Sequence, residues 1–454
     1  MVSLDERIAQ WEAAAAGRTD GREMMADGPH APSKPSKVLN VLLAPFVSAG
    51  DVHPFIGLGK ALRARGHQVT VAANAFFGEQ VQREGLDFVS VETKDKYLTI
   101  SQVSGSRRPW ASFRGGVQRS VAPLMRRIYR FIGERYQDGN TVVVAAGFMF
   151  GARIAQEKLG VRLATVHLQP CSFRSLYQSP RLPRLPLRYW YPKMVKRGFY
   201  RVMEAGGDYV LGPVVNGFRG ELGLPPVGRL IFHWWNSPQM VLGLFPDWFA
   251  PRQPDWPPQT RLSGFPLADP DSSTEVLAEA EEFVQAGQPP IVFTPGSLVG
   301  HRAQFFDASL EACRRLGRRA IFLTRFVEQL PQPLPPTVRH FPYVPLARLL
   351  PRCAAVVHPG GIGTIAQAIA AGIPQLLVPI AYDQPDNAWR AEQLGVACRL
   401  VPRRYRGDTA AVALKKLLNS EKVRDCCRLL APRCDGPRAL QEACVAIEQL
   451  GEKS

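Results

Sequence analysis

Residues 356–390 read VVHPGGIGTIAQAIAAGIPQLLVPIAYDQPDNAWR and constrain the fold more than any other part of the chain. They predict a buried strand over 354–357, a glycine-rich turn over 359–363, a helix over 364–371 and then a second strand. Such a turn before a helix N-terminus can hold a phosphate, because the first-turn N–H groups are unpaired and the helix dipole is positive there. Polar residues at 383–387 follow the second strand, at the edge where open α/β sheets bind ligands. The stretch therefore predicts a phosphate site with a hydroxyl-rich group beside it.

The alternation of strand and helix occurs in two separate parts of the chain. Residues 37–95 predict strand, helix, strand, helix and strand, and a second α/β series begins at Ile291. Repeated βαβ units predict parallel, doubly wound sheets. The intervening residues are dense in Pro, Trp and Asp and show no helix or strand period, as in a linker. We therefore expect two Rossmann-like α/β domains, with these divisions: a flexible extension over 1–36, an N-terminal domain over 37–244, a Pro-rich linker over 245–285, and a C-terminal domain with C-terminal helices over 286–454.

Composition disfavours several classes of protein. No apolar run reaches the roughly 18 residues of a membrane span, and the N-terminus lacks the apolar core of a signal peptide. Eight cysteines without a CxxC pair or a zinc spacing predict free thiols in a reducing cytoplasm and no metal site. No GxGxxG follows the first strand, which disfavours a dehydrogenase. The formal net charge of +17 favours anionic partners, but no nucleic-acid motif is present, so we expect no nucleic-acid partner.

Residues 173–203 interleave arginines, lysines, prolines and large aromatics without an acidic residue. Such a mixture suits an anionic membrane surface, because the aromatic and basic side chains can lie at the headgroups. The alternative is a solvated basic face whose aromatics turn towards the core. We accordingly expect a cytoplasmic protein and consider a peripheral contact with the inner face of the membrane, through this segment, as a hypothesis.

Two signatures in the chain resemble those of a known family. HPGGIGTIAQAIAAGIPQLLVPIAYDQPDNA resembles the donor-binding signature of GT-B glycosyltransferases of the UDP-glycosyltransferase type (family 1), which include sterol and antibiotic glycosyltransferases. The opening VLLAPFVSAGDVHPFIGLGKALRARGHQVTVAAN is similar to the matching N-terminal signature, G-D-V-x-P followed by L-x-x-x-L-x-x-x-G-H, of a family-28-like domain. The resemblance covers most of residues 37–445.

The resemblance implies an inverting hexosyltransferase with a GT-B fold, in which the two domains face each other across a cleft. It makes 37–244 the acceptor-binding domain and 286–454 the nucleotide-sugar-binding domain. The expected reaction moves a hexose, with UDP-glucose as the leading donor, to a hydroxyl of a lipophilic acceptor such as a sterol, a lipid or a polyketide-like natural product. The nucleotide sugar is then a co-substrate, and no cofactor or metal is required, because a helix N-terminus carries the charge of the leaving diphosphate. A dTDP donor and a deoxysugar stay open. The alternatives are a nucleotide-sugar epimerase of the same fold, and a basic membrane- or nucleic-acid-binding protein without transferase activity.

Two residues of the turn after the first strand are candidates for the catalytic base. Asp51 lies at the carboxyl edge of the predicted sheet, where a carboxylate can accept the proton of a hydroxyl. Its alternative role is to cap the helix that begins near Pro54. The resemblance favours the base, because relatives carry His or Asp at this place. His53 is the rival: it is either the base itself or a helix-start residue that points outward.

The resemblance assigns the donor diphosphate to the glycine turn, through backbone N–H groups and one hydroxyl. The residues concerned are Gly360, Gly361, Gly363 and Thr364. The alternative is a tight turn closed by a Thr cap. Pro359 stands where many relatives have a second His that contacts the phosphate, so either His358 takes over or that contact is lost.

Further donor contacts are implied at five positions. Gln367 stands where many relatives have a Glu that holds the ribose hydroxyls, and Gln can also bond a diol; the alternative is a polar helix face. Asp383 and Gln384 match the pair that contacts the hexose, unless they form a solvated loop. Tyr343 is either in the nucleobase segment or a core tyrosine. Ser297 is a candidate donor to the diphosphate.

Overall fold

The computed structural model describes residues 37–95, 121–181, 187, 190–269, 273–296 and 303–452. These residues form two compact units. The N-terminal unit holds the described residues within Pro35–Ala268 and Gly436–Ser454, and the C-terminal unit holds those within Asp269–Gly296 and His301–Asp435.

The N-terminal unit is built on a parallel sheet of seven strands in the order β3-β2-β1-β4-β5-β6-β7. The strands are β1 Asn40–Ala44, β2 Gln68–Asn74, β3 Asp87–Glu92, β4 Thr141–Ala146, β5 Arg162–His167, β6 Met240–Gly243 and β7 Thr260–Leu262. The helices are α1 Ala49–Ala64, α2 Gly78–Arg83, α3 Ala122–Arg135, α4 Phe150–Leu159 and α5 Lys193–Glu221. The central strands β1 and β4 are apolar runs without alternation and are buried along almost their whole length, as expected of a parallel sheet covered on both faces.

The C-terminal unit repeats this plan with six parallel strands in the order β10-β9-β8-β11-β12-β13. The strands are β8 Ile291–Phe293, β9 Ala320–Leu323, β10 Val338–Phe341, β11 Ala355–His358, β12 Gln375–Leu377 and β13 Ala397–Arg399. The helices are α6 Thr274–Gln285, α7 Ala303–Leu316, α8 Leu346–Leu349, α9 Ile362–Ala370, α10 Gln384–Gln393, α11 Gly407–Asn419 and α12 Glu421–Leu430. Two parallel, Rossmann-like sheets thus confirm the predicted α/β class.

Each sheet reverses its strand order once, between β1 and β4 and between β8 and β11. Open α/β sheets bind ligands outside the carboxyl ends of the strands at such a point. In the N-terminal unit the turn from β1 to α1 begins there. In the C-terminal unit the glycine turn from β11 to α9 begins there. The topology therefore puts both predicted active-site segments at favoured ligand-binding edges.

The last helix, α13 Gly436–Glu452, packs on the N-terminal unit. The Glu448 carboxylate accepts two N–H groups of the Arg65 guanidinium, at 2.6 and 2.7 Å, and contacts His67 Nε2 at 2.9 Å. Leu39 lies where a side chain at Gly451 would be, so helix and sheet approach closely. This differs from the predicted division, in which all residues after 286 belong to the C-terminal domain.

The Pro-rich segment 245–285 also differs from the predicted linker. β7 lies within it and pairs in parallel with β6, and Trp248, Phe249 and Phe265 pack edge to face beside it. α6, at the other end, contributes Phe283 to the core of the C-terminal unit. The prolines and aromatics here are therefore parts of two folded units, and the units meet in sequence between residues 268 and 269.

The basic segment near residue 200 forms the 29-residue helix α5. One face of α5 is buried and includes Tyr200 and Glu204. Among the described residues, no helix is both long and apolar enough to cross a bilayer.

Candidate active site

The glycine turn of the C-terminal unit exposes backbone N–H groups at the start of α9. Gly360 has φ of +96°, and a Cβ there would lie 3.2 Å from the carbonyl oxygen of Gln384, so the turn requires glycine. Gly361 is the N-cap of α9 and makes no side-chain cap bond. A Cβ at Gly361 or Gly363 would meet no atom within 4 Å. The first turn of α9 thus has unpaired N–H groups and open space, which suits an anion.

The helix begins at Ile362, two residues before the predicted start. Thr364 therefore lies inside the first turn and is not the cap of the helix. Its backbone N–H is one of the N-terminal groups without a helical partner. The alternative of a turn closed by a Thr cap is thereby wrong.

His358 lies beneath this turn and is fully buried. The N–H of Gly360 donates to Nδ1 at 3.2 Å, so the ring proton is on Nε2, which donates to Gln375 Oε1 at 3.0 Å. Burial lowers the pKa of His358 to about 4, against the opposing effect of the Gln375 bond, and the ring is neutral at pH 7. Both ring nitrogens are occupied within the protein. His358 thus orients the glycine turn from below, in a geometry that offers no donor to a phosphate.

Asp383 and Gln384 lie at the start of α10, next to the glycine turn. Gln384 Oε1 accepts the N–H groups of Ile380 and Ala381, at 2.9 and 3.0 Å, so its Nε2 is the end left to contact a ligand. Asp383 Oδ2 accepts from Asn387 Nδ2 at 2.5 Å. These bonds hold the pair in fixed positions, unlike the side chains of a solvated loop.

Asn387 joins the two parts of this edge. Its Nδ2 also donates to the carbonyl of Gly360, at 3.2 Å, so one amide ties the glycine turn to Asp383. The side chain is fully buried within α10. Asn387 does not cap this helix, because the N-cap position is Asp383.

Gln367 lies on α9 and is buried, with 4% of its surface exposed. The carboxylate of Asp269, near the Gln367 side chain, accepts the N–H of Ala347 at 2.9 Å. Burial raises the pKa of Asp269 to about 6 despite this bond. Tyr343 is half-buried in the segment between β10 and α8. The predicted donor residue Ser297 lies outside the described residues.

Asp51, in the N-terminal unit, is part of a capping box. α1 begins at Ala49, five residues before the predicted start, with Ser48 as its N-cap. Asp51 Oδ2 accepts from Ser48 Oγ at 2.5 Å and from its N–H at 3.1 Å. Burial raises the pKa of Asp51, and the Ser48 bonds partly offset this rise. Both bonds use Oδ2, so the second carboxylate oxygen is the one that can meet a substrate. The predicted alternative, in which Asp51 caps the helix, is wrong in that Ser48 is the N-cap and Asp51 is the third helical residue, which bonds back to it.

His53 lies two residues further into α1. Its ring is half-buried and packs edge to face on Phe77, with ring centroids 6.2 Å apart. The alternative of an outward-pointing helix-start residue is therefore wrong.

A cluster of aromatic rings surrounds the same edge of the N-terminal sheet. Phe46 precedes α1, Phe148 follows β4, and their ring centroids are 5.4 Å apart. Trp235 packs on Phe148 at 5.0 Å and on His167, at the end of β5, at 5.3 Å. Phe232 contacts Trp235 at 5.7 Å and has φ of +65°, which is a strained conformation for this residue and frequent near functional sites. We call Phe46, Phe148, His167, Phe232 and Trp235 the aromatic cluster.

Sequence reasoning missed the aromatic cluster and Asp269. The residues of the aromatic cluster come from four separate segments of the chain, and only the strand order of the sheet brings these segments together. Asp269 lies in a Pro-rich stretch without a period, so no pattern distinguished it from a solvated linker residue. Only Phe46 and Phe148 could have been placed at this edge from the sequence, because each follows an apolar run that predicts a strand.

Comparison with known proteins identifies both units. Residues 42–175 match the glycosyltransferase family 28 N-terminal domain, and residues 321–438 match the erythromycin biosynthesis protein CIII-like C-terminal domain. The chain is 30% identical over 447 residues to O-mycaminosyltylonolide 6-deoxyallosyltransferase of Streptomyces fradiae, covering 91% of this chain and 98% of that enzyme. It is 26% identical over 419 residues to a sterol 3-beta-glucosyltransferase of Candida albicans, covering 86% of this chain but only 26% of that longer protein.

Solved structures show the same fold. The calicheamicin glycosyltransferase CalG4 superposes with a TM-score of 0.66 at 18% identity, covering 91% of this chain and 98% of its own. The glycosyltransferase VinC, solved in complex with dTDP, superposes with a TM-score of 0.64 at 20% identity, covering 92% of this chain and 100% of its own. Together with the near full-length relative from Streptomyces, these matches show that the chain belongs to the GT-B glycosyltransferases of the UDP-glycosyltransferase type.

Proposed function

We propose that this glycosyltransferase inverts the anomeric centre of a hexose, with UDP-glucose as the leading donor, and transfers the sugar to a hydroxyl of a lipophilic acceptor. One observation carries the donor half of the proposal. The glycine turn presents unpaired N–H groups and open space at Gly361 and Gly363, at the point where the strand order of the C-terminal sheet reverses. A diphosphate fits such an anion site.

The same helix N-terminus would assist the chemistry. When the bond from sugar to diphosphate breaks, negative charge grows on the leaving phosphate oxygen. N–H groups and a helix dipole already aimed at that oxygen stabilise the transition state more than the ground state. Metal-independent transfer, with the nucleotide sugar as co-substrate and no cofactor, is therefore part of the proposal.

Asp383 and Gln384 would hold the sugar. Gln384 has its amide oxygen fixed on the backbone, so its N–H₂ group can donate to a hexose hydroxyl. Asp383 is held by Asn387, and its carboxylate is the group that would accept from a hydroxyl. Such a pair of one donor and one acceptor can distinguish the orientation of neighbouring hydroxyls.

Asp51 is the proposed base. It must take the proton of the acceptor hydroxyl as the new bond forms, and burial raises its pKa towards neutral, which increases the basicity of the carboxylate. Ser48 fixes its orientation through Oδ2. The alternative base is His53, whose ring packs against Phe77.

The aromatic cluster supports a lipophilic acceptor. Phe46 is two residues from the N-cap Ser48, so the rings border the turn that carries Asp51. Phe148 has 38% of its surface exposed. Flat apolar rings favour the faces of fused or macrocyclic carbon skeletons. Sterols have such faces, and relatives of this chain are named for a sterol and for O-mycaminosyltylonolide.

The exposed face of α5 supports contact with an anionic membrane. Met194, Val202 and Tyr209 have 82%, 73% and 67% of their surfaces exposed and follow one ridge of the helix. Lys193, Arg197 and Arg201 flank this ridge and are exposed. No acidic residue occurs in the first eleven positions of α5. A helix face with an apolar ridge and a basic flank is suited to the headgroup region of an anionic bilayer. A peripheral position at the inner face of the membrane would bring the enzyme to a lipid acceptor.

The function is tested by incubating the protein with UDP-glucose and a panel of sterols, macrolide aglycones and other lipophilic alcohols, and by weighing the products. We expect a mass gain of one hexose on an acceptor and protection by UDP against thermal unfolding. Conversion of the sugar nucleotide without an acceptor would indicate an epimerase. Protection by a polynucleotide but not by UDP would contradict the transferase proposal.

The membrane contact is tested by sedimentation with phosphatidylcholine vesicles that contain or lack phosphatidylglycerol. We expect binding only to the anionic vesicles, and loss of that binding in an Arg197→Glu/Arg201→Glu variant. An Arg403→Glu/Arg404→Glu variant changes the same charge at another exposed site and is the matched control. Equal binding by the two variants, or self-association of the protein through this face, would refute the contact.

A further inference from the structure

The turn over 229–236 carries two members of the aromatic cluster and holds two residues in the left-handed region. Arg229 has φ of +52° and Phe232 has φ of +65°. Neither residue is a glycine, so a Cβ crowds the backbone at both positions and the turn is strained. Strain of this kind persists only where the surrounding structure imposes it, and it is concentrated at ligand sites. The turn is therefore held by contacts that offset this strain.

Hydrogen bonds fix the start of the turn on α5. Asp208 accepts the N–H groups of Arg229 and Leu230, at 2.7 and 2.8 Å, one with each carboxylate oxygen. The carboxylate of Glu204, one turn earlier on the same face of α5, lies 3.3 Å from Nε of Arg229. Two side chains of one helix thus anchor the start of the turn.

Asn236 fixes the end of the turn and the backbone of Phe232. Its Nδ2 donates to the carbonyl oxygen of Phe232 at 3.1 Å, and its Oδ1 lies 2.8 Å from Nε2 of His167, at the end of β5. An amide oxygen only accepts, so His167 carries its proton on Nε2. Asn236 is buried, with 8% of its surface exposed. Because both ends of the amide are used, the side chain has one possible orientation.

The turn holds the ring of Phe232 at the surface of the aromatic cluster. The ring centroid lies 5.7 Å from that of the buried Trp235, while part of Phe232 stays exposed. Phe46 and Phe148 are also partly exposed, and Phe46 lies in the turn from β1 to α1. Three partly exposed rings thus lie at the carboxyl edge of the N-terminal sheet, where the strand order reverses and ligands bind.

We propose that Phe232 is a specificity-determining residue of the acceptor site and that Asn236 is the residue that positions it. The ligand is a lipophilic alcohol with a fused or macrocyclic ring skeleton, whose apolar face packs on the ring of Phe232. The strained backbone is retained because it holds this ring beside Trp235. The inference rests on the proposed function, because it takes the aromatic cluster as the acceptor site.

The test measures the dissociation constants of the sterol dehydroergosterol, by energy transfer from tryptophan, and of the macrolide aglycone erythronolide B, by calorimetry. We expect the wild-type protein to bind at least one of these probes. Phe232→Gly should weaken that binding by about three- to tenfold, the loss of one aromatic contact, and leave the dissociation constant of UDP unchanged. Because glycine adopts a positive φ without strain, Phe232→Gly should also melt about 2–4 °C above Phe232→Ala.

The role of Asn236 is tested by a double-variant cycle. Asn236→Ala should weaken binding of the same probe several-fold, but it should have no further effect in the Phe232→Gly protein, because Asn236 acts through that ring. Asn40→Ala is the matched control. Asn40 is equally buried and donates to the carbonyl of Arg135 at 2.8 Å and to Thr141 Oγ1 at 3.2 Å, but it lies at the amino end of β1. It should lower the melting temperature and leave probe binding unchanged.

Three results would overturn the inference: unchanged probe binding in Phe232→Gly, a melting temperature of Phe232→Gly no higher than that of Phe232→Ala, or additive effects of Phe232→Gly and Asn236→Ala on binding. The two Phe232 variants decide the matter even where Asn236→Ala does not fold. A wild-type protein that binds UDP and glycosylates a straight-chain alcohol, but binds neither probe, overturns the inference and leaves the proposed transfer standing. One that binds neither probe nor UDP overturns both.

Discussion

Replacing His358 by asparagine should remove an acid sensitivity of the C-terminal unit that arises from this one side chain. The ring is fully buried, accepts from the N–H of Gly360 through Nδ1 and donates to Gln375 through Nε2. A second ring proton would sit on Nδ1 and point at the N–H of Gly360. Protonation therefore both charges a buried group and removes a bond that shapes the glycine turn.

The magnitude follows from the pKa of His358, which burial lowers from 6.5 to about 4 while the Gln375 bond opposes the change. The unfolded chain takes up a proton near pH 6.5, and the folded chain does so only near pH 4. The free energy of unfolding is therefore fully retained above pH 6.5 and falls as the pH drops between these values. At about 1.4 kcal/mol per pKa unit, the loss is about 2 kcal/mol at pH 5 and about 3 kcal/mol at pH 4.

The assay follows thermal unfolding at pH 7, 6 and 5, with hydrogen–deuterium exchange on one peptide from β11 and one from β5 to distinguish the units. Asparagine retains an acceptor near the position of Nδ1 but does not titrate. Between pH 7 and pH 5, the midpoint temperature of unfolding reported by the β11 peptide should fall by about 4–8 °C more in the wild-type protein than in His358→Asn. Subtracting the two proteins removes the contribution of all other titrating groups.

His167 gives a matched control in the other unit. It is also buried, bonds to Asn236 at 2.8 Å, and has a pKa lowered to about 4, chiefly by burial. His167→Asn should protect the β5 peptide from acid and leave the β11 peptide unchanged. If His358→Asn loses as much stability between pH 7 and pH 5 as the wild-type protein does, the reasoning on His358 is refuted.

Four further variants test three other parts of the structure. Asp51→Asn should lower kcat by at least about 100-fold, because the base is lost, and should keep UDP protection in a thermal-shift assay; full activity would move the base to His53. Gly360→Ala, at φ of +96°, should destabilise the C-terminal unit by about 1–3 kcal/mol. Gly363→Ala should keep the melting temperature but weaken UDP binding. Equal effects of the two changes on stability would contradict the assigned geometry. Glu448→Gln should cost the N-terminal unit about 3 kcal/mol in urea unfolding, because it leaves Arg65 without its carboxylate partner in a largely buried pair, and an unchanged midpoint would show that α13 is held by its apolar contacts alone.

The donor signature illustrates how much of the site the sequence predicts. The strand, the glycine turn and the helix after it are confirmed within two residues at most ends, because apolar runs and glycines act locally on the backbone. The roles of Gly361, Gly363, Asp383, Gln384 and the other proposed ligands stay predictions. His358 shows the limit of a motif: a residue in the signature turns out to be buried under the turn, because its neighbours Gly360 and Gln375 satisfy both ring nitrogens.

Other parts could not be predicted locally. The last residues of the basic segment 173–203 lie in the 29-residue helix α5. This helix forms because Tyr200, Glu204 and other residues at helical spacing are buried in the N-terminal unit. The Pro-rich segment acquired β7 because the edge of the sheet at β6 offered a partner. Secondary-structure propensity depends on a few neighbouring residues, whereas the helix α5 and the strand β7 depend on packing against residues that are distant in sequence.

The sequence by itself determined the class of the protein: two α/β series, a glycine turn at a helix start, and an acidic turn after the first strand. These follow from short-range rules of burial, turn geometry and helix capping. Only the tertiary structure decided that five aromatic residues from separate segments meet at one edge of the N-terminal sheet, and that α13 returns to the N-terminal unit through Glu448 and Arg65. Each of these is a contact between residues distant in sequence, and the order of strands in a folded sheet determines which distant residues become neighbours.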